Sequence, residues 1–465
     1  MKLKHVKQPR ILATIAVLLV LFGLAGWKIA TGIQHSSGET SPTPSETEEN
    51  TADLQTPSYP NYTSAALDTT DITCLSLEVG AYADEIRFNW LSPSSAQGEV
   101  RLTCADTGET LSVDAETFAS TTVSGYYVNK ASVSGLQAGA TYTYQVGNED
   151  ALSPEYSFRI PAESDTLTFL VTADAQIGQA EMELPAQTAE RWDGVLTGLT
   201  ELVPDASFLF HLGDQVADFG SQEHYKLFLE HQSLYQIPLA PVTGNHDVAN
   251  DYSIEANGHP GGQYFYEHFN VPNRSSMGQS QYDQDGNYYF IRDGVLFIVL
   301  NSSTSQGSEV QEQYVAQIVA EHPDTKWRIL AQHFPAYTGA VNSHTDCKEY
   351  LARIADANDI DLILGAHDHS YSRTAFVNEA CETLAGYDYS VGGTAVNPEG
   401  TLYITCSTSS GCLYRELEAE DRIVYQNQPH VPVALRFDVT DTELHMQAYT
   451  ADTWTVFDEY TIQKD

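Results

Sequence analysis

The chain has 465 residues, of which 63 are acidic and 22 basic, for a formal charge of −41, and 42% of its residues are hydrophobic. That length exceeds one ordinary domain, and the apolar content is ample for more than one core. So negative a chain repels phosphate backbones, which argues against a nucleic-acid-binding surface and fits a solubility feature of an exposed protein.

Residues 1–35 form a separate block. Lys2, Lys4, Lys7 and Arg10 precede an apolar run from Ile11 to Ala30, broken only by Thr14, Trp27 and Lys28. The stretch from Ile11 to Trp27 approaches the width of a bilayer core, and the flanking positive charges put everything after about residue 31 outside the cytoplasm. A signal peptide and an uncleaved membrane anchor both fit. The run is long for a signal and only Gly23-Leu-Ala-Gly26 offers a cleavage site, which favours the anchor; either way the protein is expected to be extracellular. Residues 36–64 are rich in Ser, Thr, Pro and Glu and read as a solvated linker. All six cysteines lie on the exported side, so up to three disulfides are expected: Cys74–Cys104 and Cys406–Cys412 as local pairs, leaving Cys347–Cys381, with free buried thiols as the alternative.

From residue 65 to 162 short alternating runs dominate. Ile86, Phe88 and Trp90 alternate with Arg87 and Asn89; Tyr142, Tyr144 and Val146 alternate with polar partners before the turn at Gly147. With no helical period and turn residues between the runs, an antiparallel β-sandwich follows, of fibronectin type III-like character at Val133–Val146. It carries no cluster of ligand-type residues.

After Pro161 apolar strands alternate with helices. Strands are expected near 167–172, 207–211, 239–243, 295–300, 328–331, 361–364 and 401–405. Helices are expected at 221–235, at 345–357, and after a capping box formed by Ser308 and Gln311, with Val310, Tyr314 and Ile318 facing inward. In such α/β folds ligands bind beyond the carboxyl ends of the strands. Those ends hold Asp174 and Gln176, then Asp214, then Asn245, His246 and Asp247, then His333, and finally His367 and His369. Two carboxylates, two amides and three imidazoles suffice for two first-row metal ions. His367 and His369, two apart in an extended loop, can reach one ion each. His211, inside a strand, reads as packing.

The ordered motifs Asp174-Ala-Gln176, Gly213-Asp214, Gly244-Asn-His-Asp247, His333-Phe-Pro-Ala-Tyr337 and Gly365-Ala-His-Asp-His-Ser-Tyr-Ser-Arg373 resemble the calcineurin-like metallophosphoesterases, specifically the purple acid phosphatase-like branch. The resemblance runs from about Ala65 to the C-terminus. It implies a four-layer α/β/β/α sandwich over residues 163–465, preceded by the fibronectin III-like domain, with a dinuclear centre of Fe, Mn or Zn, Mg being possible too. The implied ligands are Asp174, Gln176, Asp214 and His369 for one ion, and bridging Asp214, Asn245, His333 and His367 for the other. Attack by a water bridging the ions on a small phosphorylated substrate is implied, with His246 as proton donor oriented by Asp247. His344 and Arg373 are candidate substrate contacts; His344 reads equally as a surface residue and Arg373 equally as the partner of a buried carboxylate. Two departures stand out. Ala217 occupies the position of the branch's iron-binding tyrosine, so no purple colour is expected, and Gln176 replaces a common histidine, which makes Mn, Fe(II) or Mg more plausible at the first position. A secreted nucleotidase or phosphodiesterase uses the same ligands, and a non-catalytic cell-surface binding protein is the rival of another class. The oligomeric state is open.

Overall fold

The computed structural model describes residues 72–149, 151–179, 183–248, 261–275, 286–303 and 309–465. The apolar segment at 11–30, the linker and any membrane insertion they imply lie outside the described residues. Among the described residues no helix is long and apolar enough to cross a membrane.

Three sheets organise the chain. The largest has eleven strands and runs through Gly393–Val396, Thr455–Gln463, Glu443–Thr450, Val433–Val439, Leu167–Thr172, Leu209–His211, Leu239–Pro241, Thr73–Val79, Ile86–Ser92, Tyr127–Val133 and Glu116–Ala119. A second, of seven strands, runs through Tyr288–Arg292, Val295–Val299, Trp327–Ala331, Leu362–Gly365, Leu402–Thr405, Tyr371–Thr374 and Ile423–Asn427. The third pairs Thr110–Asp114, Gly98–Cys104 and Thr141–Asn148 with two short strands at 151–159.

Phenylalanines clamp the two large sheets together. Phe169 stacks on Phe208 and Phe437 within the first sheet, at 5.2 and 4.8 Å between centroids, and Phe290 stacks on Phe297 within the second at 4.8 Å. The two rows meet edge to face, Phe208 on Phe297 at 5.3 Å and 87°, an arrangement that adds quadrupolar attraction to area burial. Period-two alternation then assigns the other face of the seven-stranded sheet. Phe297 and Val299 point into the shared core, while Leu296, Ile298 and Leu300 join Tyr314 and Ile318 of the helix Glu309–Glu321 and Leu351 and Ile354 of the helix Lys348–Ala357.

Several expectations change. Val310 is 43% exposed; the inward face of its helix is Gln311, Tyr314, Val315 and Ile318, and the Gln311 side chain donates to the Asn301 carbonyl. The helices Gly261–His268 and Pro185–Leu202, the latter opened by a proline at its first turn, escaped the apolar-period reading. All six cysteines are free thiols. Cys74 packs into the core shared by the large sheets while Cys104 belongs to the core of the N-terminal sandwich, so their strands turn the two thiols into different interiors. Cys406 contacts the Ser407 carbonyl, Cys412 turns toward Asp174, and Cys381 lies against the Lys348 carbonyl.

The N-terminal strands are continuous with the sheet beyond residue 163. Thr73–Val79 pairs in parallel with Leu239–Pro241, Glu78 opposite Leu239, and Tyr235 sits in the N-terminal core, its carbonyl accepting from the Tyr144 hydroxyl at 2.9 Å. The helix Gly261–His268 locks the junction. Lys130 Nζ donates to the carbonyls of Tyr266 and Phe269, both at 2.6 Å, and buried Glu267 accepts from Ser120, Thr121 and Thr122. Burial raises the Glu267 pKa, but those hydroxyl bonds and Gln263 outweigh it and bring the carboxyl from 4.5 to about 2. A depressed folded-state pKa stabilises above the unfolded value and is lost as pH falls through the folded one. Glu267→Gln is therefore expected to cost about 2 kcal/mol at neutral pH. In urea unfolding the gap between variant and wild type should close as pH drops from about 4.5 towards about 2; a gap independent of pH would show that ionisation is not what holds the junction.

Candidate metal centre

The ligand-type residues converge from both large sheets. Beyond the strand Leu167–Thr172 the backbone at 174–177 runs parallel to 213–217: Asp174 N donates to Gly213 O, Gln176 N to Asp214 O, and Ile177 bridges Val216. This registers Asp174, Gln176 and Asp214 side by side. From the second sheet, His333 Nε2 lies 3.4 Å from Asp214 Oδ2, 4.0 Å from Asp174 Oδ1 and 3.2 Å from Asn245 Oδ1. His369 Nε2 lies 3.5 Å from Asp174 Oδ1, and Asp214, His333 and His367 group within 4.8 Å. All seven candidate ligands are thus brought together.

Backbone carbonyls fix the imidazoles. His333 Nδ1 bonds Leu212 O at 2.9 Å and His369 Nδ1 bonds Leu413 O at 3.1 Å, so each ring turns Nε2 toward the carboxylates. The positions are held at a conformational cost. Asp174, Gln176, Asp214, His367 and His369 have φ of +47°, +41°, +54°, +70° and +51°, five of the fifteen non-glycine residues in that region among those described. Each such residue costs roughly 1–3 kcal/mol and persists only where its surroundings over-determine it.

The electrostatics show what is missing from the protein groups alone. Burial pushes the Asp174 carboxyl up to about 8, with the Asp214 charge adding to it and His333 opposing. Asp214 is buried too, yet His333 and the His246 amide hold it well below the usual range. His333 is raised to about 9, the Asp214 charge overcoming burial. His367 and His369 fall to about 3, chiefly through burial, leaving both as neutral donors. Asp174 Oδ1, fully buried, has no hydrogen-bond partner. An orphaned buried carboxyl oxygen beside neutral His369 fits a cation.

A family model described as calcineurin-like phosphoesterase matches residues 167–371, and one described as the purple acid phosphatase N-terminal domain matches residues 73–160. The chain carries a calcineurin-like metallophosphoesterase domain behind a purple acid phosphatase N-terminal domain. It is a hydrolase of the phosphatase type. Purple acid phosphatase PPD1 from yellow lupin (Lupinus luteus) seeds shares the fold with a TM-score of 0.67 at 16% identity, the match covering 85% of this chain and 75% of that one. PhoD gives a TM-score of 0.59 at 12% identity, over 87% of this chain and 92% of that one. No curated protein matches the chain in sequence.

Within the metallophosphoesterase domain the expected role of Asp247 is corrected, and one of the two alternatives for Arg373 holds. Asp247 does not orient His246. Its buried carboxylate accepts from the amides of Gly244 and Asp214, both at 2.7 Å, and of Gln215 at 2.9 Å, tying two strand-end loops together. His246, half-buried, is instead fixed through Nδ1 on the carbonyl of Ala217 at 2.9 Å. Arg373 is fully buried and forked onto Asp458, at 2.8 Å from Nε and 3.0 Å from Nη2, which removes it from any substrate. His344 is exposed, next to Ser343. His211 is packing, as expected, between Trp192 and Phe228 with Nδ1 on Thr172.

Sequence reasoning passed over Asp368, Cys412 and Arg415. Asp368, between the two histidines, accepts from the Ser343 hydroxyl at 2.6 Å and the Gly339 amide at 2.7 Å. Cys412 Sγ sits 3.6 Å from Gln176 Oε1 and 3.9 Å from His369 Nδ1. Both lie in segments without a periodic pattern, and only the Asp in His367-Asp-His369 carried a local signal. The glycines of Gly213-Asp214 and Gly244-Asn245 are required sterically. Gly213 has φ +97°, and a Cβ there would come 2.7 Å from His333 Nδ1; a Cβ on Gly244 would fall on the Asp214 carboxylate. Gly244→Ala is expected to weaken metal binding about 10- to 100-fold without removing a ligand, measured by titrating the metal-free protein with Mn or Zn. An unchanged affinity would mean that the Asp214 carboxylate is not where the ions sit.

Proposed function

We propose that the protein is an exported, dinuclear-metal-dependent phosphoesterase acting on small phosphate esters, with the four-layer α/β/β/α architecture of its superfamily. The observation that carries the reading is the grouping of Asp214, His333 and His367 within 4.8 Å, beside a buried Asp174 oxygen that has no hydrogen-bond partner and lies 3.5 Å from His369 Nε2. Asp174, Gln176, Asp214 and His369 would hold one cation; Asp214, Asn245, His333 and His367 the other. Bound there, two cations supply Lewis acidity, screening of phosphate charge and acidification of water.

The chain's own groups do the rest. Asp214 shares its oxygens between the two sets of donors, with one oxygen held by the His246 amide at 2.8 Å. His246 is fixed at Nδ1 by a carbonyl, which leaves Nε2 at the half-exposed mouth to pass a proton to the departing oxygen. The amide of Gln176, whose Nε2 lies 2.8 Å from Asp214 Oδ2, offers an oxygen donor after rotation, consistent with Mn, Fe(II) or Mg beside it. Ala217 offers no side-chain donor, so no tyrosinate charge-transfer colour is expected. Export rests on the basic and apolar N-terminal segment alone.

Two measurements test the reading. Metal-loaded protein should hydrolyse an aryl phosphate, and Asp214→Asn should lose at least about 100-fold in kcat together with bound metal; undiminished turnover in that variant would overturn the dinuclear assignment. His246→Ala should lower kcat about 100-fold for esters of alcohols and far less for esters of nitrophenol, which leave without a proton. An equal loss on both would remove His246 from proton transfer.

A further inference from the structure

The loop from Cys406 to Glu418 passes beside the candidate metal centre and brings Arg415 to it. Val341 N donates to Glu416 O and Glu418 N to Gly339 O, both at 2.8 Å, with Ala340 bridged to Leu417; this register sets Arg415 opposite Asn342. The same Gly339–Ser343 strap supplies the amide and hydroxyl that hold Asp368 between His367 and His369. From the other side, Gln428 Nε2 donates to both His369 O at 2.7 Å and Arg415 O at 2.8 Å. One amide thus ties the Arg415 backbone to a candidate ligand.

The side chain is half-buried and its single hydrogen bond is 3.4 Å from Nη1 to the Asn342 carbonyl. That is unusual here. Arg87, Arg101, Arg159, Arg191, Arg328, Arg353, Arg373, Arg422 and Arg436 each pair with a carboxylate. Like Arg292, whose Nη1 donates to the Ile291 carbonyl, Arg415 forms no ion pair with a carboxylate among the described residues, though its charge acts on Asp368. Its charge reaches the site: burial holds His367 and His369 down, and Arg415 adds in the same direction at both. Five donors in a planar fork match the non-bridging oxygens of a phosphate group.

We propose that Arg415 is a substrate-binding residue that takes non-bridging oxygens of the phosphate ester at the mouth of the metal centre and selects dianionic monoesters over monoanionic diesters. This rests on the phosphoesterase reading and sharpens it. A monoester carries close to two charges at neutral pH and a diester one, so an additional fixed cation favours the monoester.

The test uses full-length, metal-loaded protein with an aryl phosphate, the matching aryl methyl phosphodiester and inorganic phosphate. Arg415→Ala should raise KM for the monoester, and the inhibition constant of inorganic phosphate, about 10- to 100-fold. The diester KM should change less than about 3-fold, and Arg415→Lys should recover part of the loss. Metal content and thermal unfolding should stay at wild-type values, since the side chain makes one long hydrogen bond. Unchanged monoester KM, or equal losses on both esters, would overturn the assignment. Should wild-type protein hydrolyse neither ester, the phosphoesterase reading fails by itself. Calorimetric titration with inorganic phosphate then decides Arg415: weakened binding in Arg415→Ala upholds it and equal binding overturns it.

Discussion

Two carboxylates, Asp174 and Asp214, lie buried within reach of the same imidazole, and much of the surrounding structure serves to keep them there. Like charges removed from water repel strongly, so nothing local favours this placement. It is enforced from outside. The strand ends at 174–177 and 213–217 are bonded to each other, Asp247 gathers three amides from two loops, and carbonyls of Leu212 and Leu413 aim the histidines inward. The five left-handed backbone positions mark where the chain bends against its own preference to deliver those side chains.

That enforcement needs a stiff frame, and the interleaved phenylalanines supply it. Rows from each sheet meet edge to face, so the sheets cannot slide without losing close-packed contact over several rings. The N-terminal sandwich extends the frame. Its strand Thr73–Val79 covers the edge at Leu239–Pro241, the strand that leads into Gly244-Asn-His-Asp247. Left bare, that edge would present unpaired amides next to the candidate centre. The sandwich, without a cluster of ligand-type residues among those described, acts on the site by supporting the strand that delivers Asn245 and His246.

The site was more legible in the sequence than its support. The candidate ligands sit directly after apolar runs, so pattern plus residue type picked out the residues the fold brings together; their neighbours were invisible because carbonyls of Leu212, Leu413 and Ala217 carry no side-chain signature. Asp247 was misread for the same reason: in sequence it is adjacent to His246, but its partners are backbone amides, two of them 32 and 33 residues away. Arg373 and Arg415 show the limit most clearly. Both are arginines near the histidine motif, and only tertiary context separates the one sealed onto Asp458 from the one without an acid. The cysteines misled through compartment: expected export favours disulfides, yet Cys74 and Cys104 sit on strands of different sheets and enter different cores. Val310 was lost to a helix phase that shifts once its first turn is fixed by the Asn301 contact.

A chain with a formal charge of −41 that acts on anionic esters faces an electrostatic obstacle to encounter. Screening limits it, since at physiological ionic strength charges beyond roughly 8 Å are largely hidden from an approaching ligand. What then governs capture is the charge within that distance of the metal centre. There, His367 and His369 are held neutral, Asp368 is engaged by Ser343 and Gly339, and the acids at 174 and 214 are buried. None of these carboxylates is exposed at the mouth, even though the chain as a whole is strongly acidic. In that setting one guanidinium without an ion-pair partner adds positive charge, and two cations, if bound as proposed, would add more. The acidic surface and the anion-receptive mouth are compatible because solvent separates them and burial protects the second.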